Sequence, residues 1–270
     1  MNHLVRPRGS RKQTPSRKYM QDFVGCLVHW LSQKLGAIIT HQNCYLCHQY
    51  SAVIVCAYCI ENLVERGFGQ THPSTLDLLR HPIALKNLEE PEYDQLYAID
   101  NYIWPIDRLV LDMKFAKKSV AAKALSSLFL QFVFKPLMKE SLASNSNILP
   151  QLFIPVPLSS KRYWQRQYNQ AQLLCDCLSK ATNIPNEALV KRVKHTLAQT
   201  ELDKQQRIDN VLNAFECNTH IPLEHVAIVD DVITTGVTIN AVCLAVKKHN
   251  PNVKISVWVM AITLLDQKST

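Results

Sequence analysis

Val226-Ala-Ile-Val-Asp230-Asp231-Val-Ile-Thr234-Thr235-Gly236-Val237-Thr238-Ile239 sets an apolar run ahead of two adjacent acids and a threonine–glycine turn. Val226 to Val229 read as a buried strand running straight into the acids. Asp230 and Asp231 then fall at its carboxyl end, the edge at which open α/β sheets bind ligands. Thr234 to Thr238 turn the chain into the next helix, where backbone N–H groups, threonine hydroxyls and the helix dipole can hold a dianionic phosphate. Gly236, one of only six glycines in 270 residues, permits close backbone approach. The two carboxylates are good acceptors for a vicinal diol. A plain strand-to-helix turn with an Asp cap explains one residue of the string. Two adjacent acids ending a buried strand are costly unless they bind something. Phosphate at one end and diol at the other fit a ribose 5-phosphate.

Outward from this loop the pattern alternates. Leu152 to Leu158 reads as a strand interrupted by Pro155 and Pro157, and Asn169 to Thr182 as a helix. Ala188 to Val193 and Val211 to Phe215 are short strand candidates, Thr238 to Lys248 a helix, and Val253 to Ile262 a β-branched strand. This order predicts an α/β fold with a mainly parallel sheet flanked by helices. Upstream, Ser119 to Phe134 reads as a helix and Ser141 to Asn147 as a polar linker. The expected organisation is a basic arm over residues 1–20, an amphipathic helix and cysteine cluster over 21–70, and the α/β domain over 71–270 with its core from about residue 148.

Two further segments carry chemistry. After Ile154-Pro-Val-Pro-Leu158 come Lys161, Arg162, Arg166 and Asn169-Gln170-Ala171, cations gathered between a strand and a helix. They suit a polyanion or, as charge runs often are, a solvated basic turn. The segment with Lys191, Arg192, Thr196, Gln199, Leu202, Arg207, Asn210, Ala214 and Phe215 has little apolar periodicity between Lys194 and Arg207 and reads as a mobile loop able to close over a bound substrate and exclude water.

Cys44-Tyr-Leu-Cys47 and Cys56-Ala-Tyr-Cys59 form CxxC, eight residues, CxxC. Two such CxxC knuckles can each present two thiolates from a tight turn, and four thiolates complete a tetrahedron around zinc. With all four ligands cysteine there is no open position, so the metal is expected to be structural. The alternative is four unrelated buried thiols.

Net charge is +8, but residues 1–18 hold six cations (Arg6, Arg8, Arg11, Lys12, Arg17, Lys18) and no acid, which leaves about +2 for the rest. That arm is a solvated tail, or residues upstream of a natural start at Met20, or a nucleic-acid contact through counterion release. Phe23, Leu27, Trp30, Leu31 and Leu35 fall at helical spacing in a stretch too short and too polar to cross a bilayer. Nine cysteines without an export signal predict a reducing, cytoplasmic setting and no membrane span.

The loop resembles the phosphoribosyl pyrophosphate (PRPP) motif of type I phosphoribosyltransferases. That resemblance implies ribose contacts for Asp230 and Asp231, 5-phosphate contacts for Thr234, Thr235, Gly236, Val237 and Thr238, and pyrophosphate contacts for Lys161, Arg162 and Arg166. It also implies Mg²⁺ arriving with PRPP. Thr234 stands where purine-salvage members carry an acid, so a salvage-type general base is missing. In order, the cysteine cluster, Tyr102…Asp112-Met-Lys114-Phe115, PVPL with the run to Ala171, the Arg192-to-Phe215 stretch and DDVITTG resemble the ComF family. Members usually have glycine where Gln167 stands, so a different backbone is expected in that turn. By composition Lys114 reads equally as a surface lysine or a phosphate contact. The resemblance implies a PRPP-dependent transferase linked to competence or DNA utilisation. The other reading is a non-catalytic protein that binds single-stranded DNA or a helicase-like partner, with Tyr45, Tyr50 and Tyr58 available to stack on bases.

Overall fold

The structure, a computed structural model, describes residues 42–69, 76–115, 119–144, 148–193, 214–218 and 222–263. The basic arm, the amphipathic stretch from Phe23 to Leu35 and the segment 194–213 lie outside the described residues.

The centre is a four-stranded parallel sheet in the order β3-β8-β7-β4, formed by β3 (Gln95–Asn101), β4 (Leu152–Pro155), β7 (His225–Ile233) and β8 (Lys254–Ile262). Helices cover both faces, as parallel strands buried on two sides require. On one face Phe153, Ala227, Val229 and Trp258 pack with residues of α3 (Ile106–Phe115), the long helix α4 (Ser119–Ser144) and α6 (Gln170–Thr182). Trp258 is its hub, with ring centroids 5.1 Å from Phe129 and 5.0 Å from Phe153. On the other face Ile154, Ile228, Val257 and Val259 pack with Val242 and Val246 of α7 (Val237–His249). Alternate residues of each strand thus feed opposite cores, the period-2 rule applied to a sheet with no wet side. This is the expected type I phosphoribosyltransferase fold, with the four-cysteine module ahead of it.

Several elements differ from the expected pattern. β7 does not stop at the acids: Asp230 pairs with Val259 and Ile233 with Ile262, so β8 carries the ladder through both carboxylates. β4 ends at Pro155, and only the Val156 N–H bond to Val229, at 3.0 Å, continues it before Pro157. β3 was not expected as a strand, yet it pairs with β8 along its length. Helix α4 runs on through Ser144, so Ser141 to Ser144, expected as linker, are helical. Its middle, Leu130–Phe134, is π-helical. Pro136 follows, without an N–H and with a ring that crowds the preceding turn, and one wider turn absorbs that mismatch.

Among the described residues, α4 is the one helix long and apolar enough to cross a membrane. Its Ala121, Ala122, Ala124, Leu125, Leu128 and Phe129 are fully buried against the protein's own core, which accounts for the composition without a bilayer.

Three smaller parts complete the domain. α2 (Pro82–Asn87) precedes β3, and α5 (Ser160–Arg166) follows β4. β5 (Val190–Arg192) and β6 (Phe215–Cys217) form an antiparallel pair; β5 lies inside the expected Ala188-to-Val193 strand, while β6 shares only Phe215 with the expected Val211-to-Phe215 strand, whose residues 211–213 lie outside the described residues. The four-cysteine module consists of β1 (Gln42–Asn43), β2 (Tyr50–Ser51) and α1 (Ala57–Glu65). Beyond α1, Gly69 has φ +72°, and a Cβ there would come within 2.6 Å of the Phe132 ring, so this position admits only glycine without repacking α4.

Candidate functional site

The carboxyl ends of β4 and β7 open into a cleft of about 470 Å³. One wall is the chain after β7: Asp230, Asp231 and the Thr234-to-Ile239 turn. Gly236 takes φ +81° there, and an added Cβ would meet nothing closer than 3.6 Å, so the turn needs glycine for its left-handed backbone rather than for room. Gly236 is also the N-cap of α7, and it offers that helix no side-chain cap. The first turn of a 13-residue helix therefore faces the cleft with its N–H dipole end uncapped by a side chain. The loop is tied down behind, with the Glu89 N–H donating to Thr235 O at 2.9 Å and the Thr263 N–H to Ile233 O at 2.9 Å.

The facing wall follows β4. Ser159 caps α5, while Arg162 and Arg166 line the cleft from that helix. Lys161 lies on the same helix; its side chain is outside the described set. Gln167 takes φ 69° and ψ 6°, the left-handed conformation that glycine adopts most readily. The turn expected to change with this residue therefore keeps a glycine-like backbone. Asn169 then caps α6 by accepting from Ala171 N at 3.1 Å while its amide donates to Val156 O at 3.0 Å, which fixes the floor between β4 and α6.

All the candidate acid, threonine-loop and arginine positions thus line one cleft. Tyr102, Lys114, Gln170 and Arg192, which the sequence placed in neighbouring motifs without a fixed contact, join them. Lys114 is no surface lysine. Its ammonium lies 2.9 Å from Asp231 Oδ2, both side chains largely buried. Arg192 stacks its guanidinium 5.2 Å above the Phe215 ring across the β5–β6 pair. Burial and the facing Arg162 both lower its pKa.

The electrostatics favour a ligand with both anionic and hydroxyl groups. Lys114, Arg162, Arg166 and Arg192 outnumber the two acids. Burial, with the neighbouring Asp231 charge adding to it, pushes the Asp230 carboxyl up to about 7. The Asp231 N–H, Lys114 and Arg162 pull the other way without overcoming it. The free cleft therefore holds a carboxyl poised to give up its proton near neutrality when a cation or diol arrives.

The second centre is the cysteine cluster. Cys44, Cys47, Cys56 and Cys59 place their sulfurs within 4.8 Å of one another, and all four are free thiols. Cys44 and Cys59 are 3.7 Å apart, as are Cys47 and Cys56. A tetrahedron with metal–sulfur bonds of about 2.3 Å has edges of about 3.8 Å, so these thiols match a four-thiolate structural metal. The two pairs are presented differently. Cys44 and Cys47 sit on the turn of the β1–β2 hairpin, whereas Cys56 is the N-cap of α1 and Cys59 lies in its first turn. The second pair was expected on a knuckle like the first; a helix N-terminus supplies it instead, where the dipole favours thiolate.

No family model matches the chain. Similar proteins do. Competence protein F of Haemophilus influenzae is 37% identical over 177 residues, covering 64% of this chain and 75% of that protein. DNA utilization protein YhgH of Salmonella typhimurium is 30% identical over 232 residues, covering 82% of this chain and 97% of that one. The chain belongs to the ComF family. The Escherichia coli YhgH protein, 32% identical over 175 residues, covers 64% of this chain and 74% of its own length. Two groups of residues thus meet in this ComF protein: a cleft at the carboxyl ends of the sheet and a four-cysteine, metal-competent module ahead of it.

Proposed function

We propose that the cleft binds PRPP or a related ribose 5-phosphate together with Mg²⁺, in a protein serving competence or DNA utilisation. Asp230 and Asp231 take the ribose hydroxyls, and Thr234, Thr235, Gly236, Val237 and Thr238 wrap the 5-phosphate. Lys161, Arg162 and Arg166 meet the pyrophosphate. One observation carries this reading: an acid pair and an uncapped helix N-terminus on one wall face a pair of arginines on the other, across about 470 Å³. Mg²⁺, bound through pyrophosphate and ribose oxygens, supplies charge neutralisation. In a transferase, displacement of pyrophosphate from the anomeric carbon passes through an oxocarbenium-like state. Binding energy from the anchored phosphate is then available at the reacting carbon. The structural metal of the cysteine module is zinc in this reading, since four thiolates in a tetrahedron suit it best.

Isothermal titration with PRPP and Mg²⁺ tests the reading. Micromolar binding that disappears in an Asp230→Asn, Asp231→Asn double variant supports it, and no heat from the wild-type protein sinks it.

A second reading is favoured by the surface of the cysteine module. Tyr50 and Tyr58 are 69% and 70% exposed, and Trp104, in the sheet domain, is 53% exposed. Exposed rings suit stacking on single-stranded DNA, with or without a helicase-like partner. Tyr45 is excluded from that set, because its hydroxyl is engaged with Asp112. A gel shift with labelled single strands across a salt series checks this, and binding that survives Tyr50→Ala with Tyr58→Ala removes it.

A further inference from the structure

Asp112, Met113, Lys114 and Phe115 close α3, and each of the four meets a different part of the protein. Asp112 accepts a hydrogen bond from Tyr45 OH, in the first cysteine turn, at 3.0 Å, and also faces Arg108 at 3.5 Å. The Met113 carbonyl accepts from Tyr168 OH, in the turn after α5. Lys114 reaches Asp231 at 2.9 Å. Phe115 lies under the Arg166 guanidinium, 5.6 Å from ring centroid to carbon. This single turn therefore touches the cysteine module, the acid pair of one cleft wall and the arginine helix of the other.

The last turn of a helix is where frayed geometry is expected, because its carbonyls have no intrahelical donor. Here two tyrosine hydroxyls from outside the helix hold it. A lysine side chain is long and loses much rotamer freedom when fixed. Lys114 can sit on Asp231 only if the backbone that carries it is itself held. Asp230 and Asp231 are adjacent carboxylates in a confined site, and like charges there drive one of them to keep a proton. An ammonium 2.9 Å from Asp231 fixes that carboxylate in place, with its remaining lone pairs free to accept a ribose hydroxyl. It also offsets the repulsion between the acid pair and an anionic ligand.

We propose that the Asp112-to-Phe115 turn is a strut through which the four-cysteine module, by way of Tyr45, positions Lys114 in the cleft. Lys114 acts through Asp231, and Tyr45 acts through Asp112; both are positioning residues. The consequence for ligand binding rests on the ribose-phosphate reading of the cleft, whereas the mechanical link does not.

Two measurements separate these. First, titration of PRPP with Mg²⁺ is run on the wild type, Tyr45→Phe, Lys114→Met and the double variant. Tyr45→Phe, which keeps the ring and its packing, weakens binding by about 3- to 10-fold, the worth of one hydrogen bond. Lys114→Met weakens it further, and the double variant is no weaker than Lys114→Met alone, because both changes remove the same cation from its place. Additive losses overturn the strut. Second, hydrogen–deuterium exchange is followed in the ligand-free proteins. In Tyr45→Phe, exchange rises at residues 112–115 and around 231–236. Asp112→Asn, which weakens the acceptor from the other side, gives the same pattern. A rise confined to residues 44–51 overturns the proposal. An unbound PRPP together with the expected exchange pattern refutes the ribose-phosphate reading and upholds the strut.

Discussion

Asp230 accepts the backbone N–H of its neighbour Asp231 on its own carboxylate at 2.8 Å, and still that carboxyl is pushed up to about 7. Burial is the first cause and the adjacent Asp231 charge the second. The ordinary value is 3.8, so between about 4 and 7 the folded chain holds a proton that the unfolded chain has released. This contribution to stability is complete at low pH and is lost as pH rises through about 7. At pH 7.5 the ligand-free Asp230→Asn variant should melt several degrees above the wild type. An equal or lower melting temperature would refute the assignment of a buried, reluctant charge to Asp230.

His225, at the start of β7, works in the opposite direction. Its Nε2 lies 3.2 Å from Ser256 Oγ, and burial, with Lys254 beside it, lowers the imidazole from 6.5 to about 4. The folded form stays neutral where the unfolded chain is charged, so this contribution is lost as pH falls from about 6.5 to about 4. Over that window the two groups oppose each other. Melting of the wild type should be nearly flat from pH 4.5 to 6.5. Asp230→Asn should uncover a fall toward acid, and His225→Asn a fall toward neutral pH. Parallel profiles for the two variants would show that neither group governs the acid limb.

Gln167 occupies a left-handed conformation at φ 69° in the turn between the arginine helix and Asn169. That conformation strains residues with a Cβ, and β-branched residues most. Its side chain recovers part of the cost by donating to Trp164 O at 2.7 Å. Gln167→Gly should leave stability within about 0.5 kcal/mol of wild type, the relief of strain offset by greater freedom in the unfolded chain. Gln167→Val should cost about 1–2 kcal/mol. Urea unfolding at matched slope is the check, and equal stability for the glycine and valine variants would count against the strained turn.

The four thiols should carry one structural metal per chain. Elemental analysis should find one equivalent of zinc, and X-ray absorption should find about four sulfurs at about 2.3 Å. Cys47→Ser should lower the melting temperature and raise exchange through residues 44–65, because binding energy in such modules is folding energy. A fully loaded protein with nitrogen or oxygen neighbours at the metal, or a metal-free protein of unchanged stability, would contradict the assignment.

The loop after β7 was legible because its pattern is local: a buried strand, two acids, and a turn that needs Gly236, all within one short string. The cysteine pairs were legible for the same reason. What escaped was set by tertiary contacts. β3 carries Tyr97 and Ala98 in a stretch without clean alternation, because both its faces are buried and neither demands polar residues. The extent of β7 past Asp230 depends on β8, which comes later in the chain. Lys114 could not be assigned from its own surroundings, since what makes it a cleft residue is Asp231, far along the sequence. Cys56 looked like half of a knuckle because CxxC spacing is compatible with a tight turn and with a helix start alike.

The sheet order also sets a schedule for synthesis. β8 lies between β3 and β7, pairing Gln95 with Ser256 on one side and His225 with Lys254 on the other. A ribosome releases β3 early, and among the described residues its one strand neighbour, residues 254–262, emerges late. Throughout elongation the nascent chain carries an unpaired apolar edge, together with helix α4 and its unburied apolar face. Such intermediates invite chaperone binding or aggregation. A chain interrupted before Lys254 would lose the keystone of the sheet along with one strand, and the acid pair would lose the ladder that holds it in place.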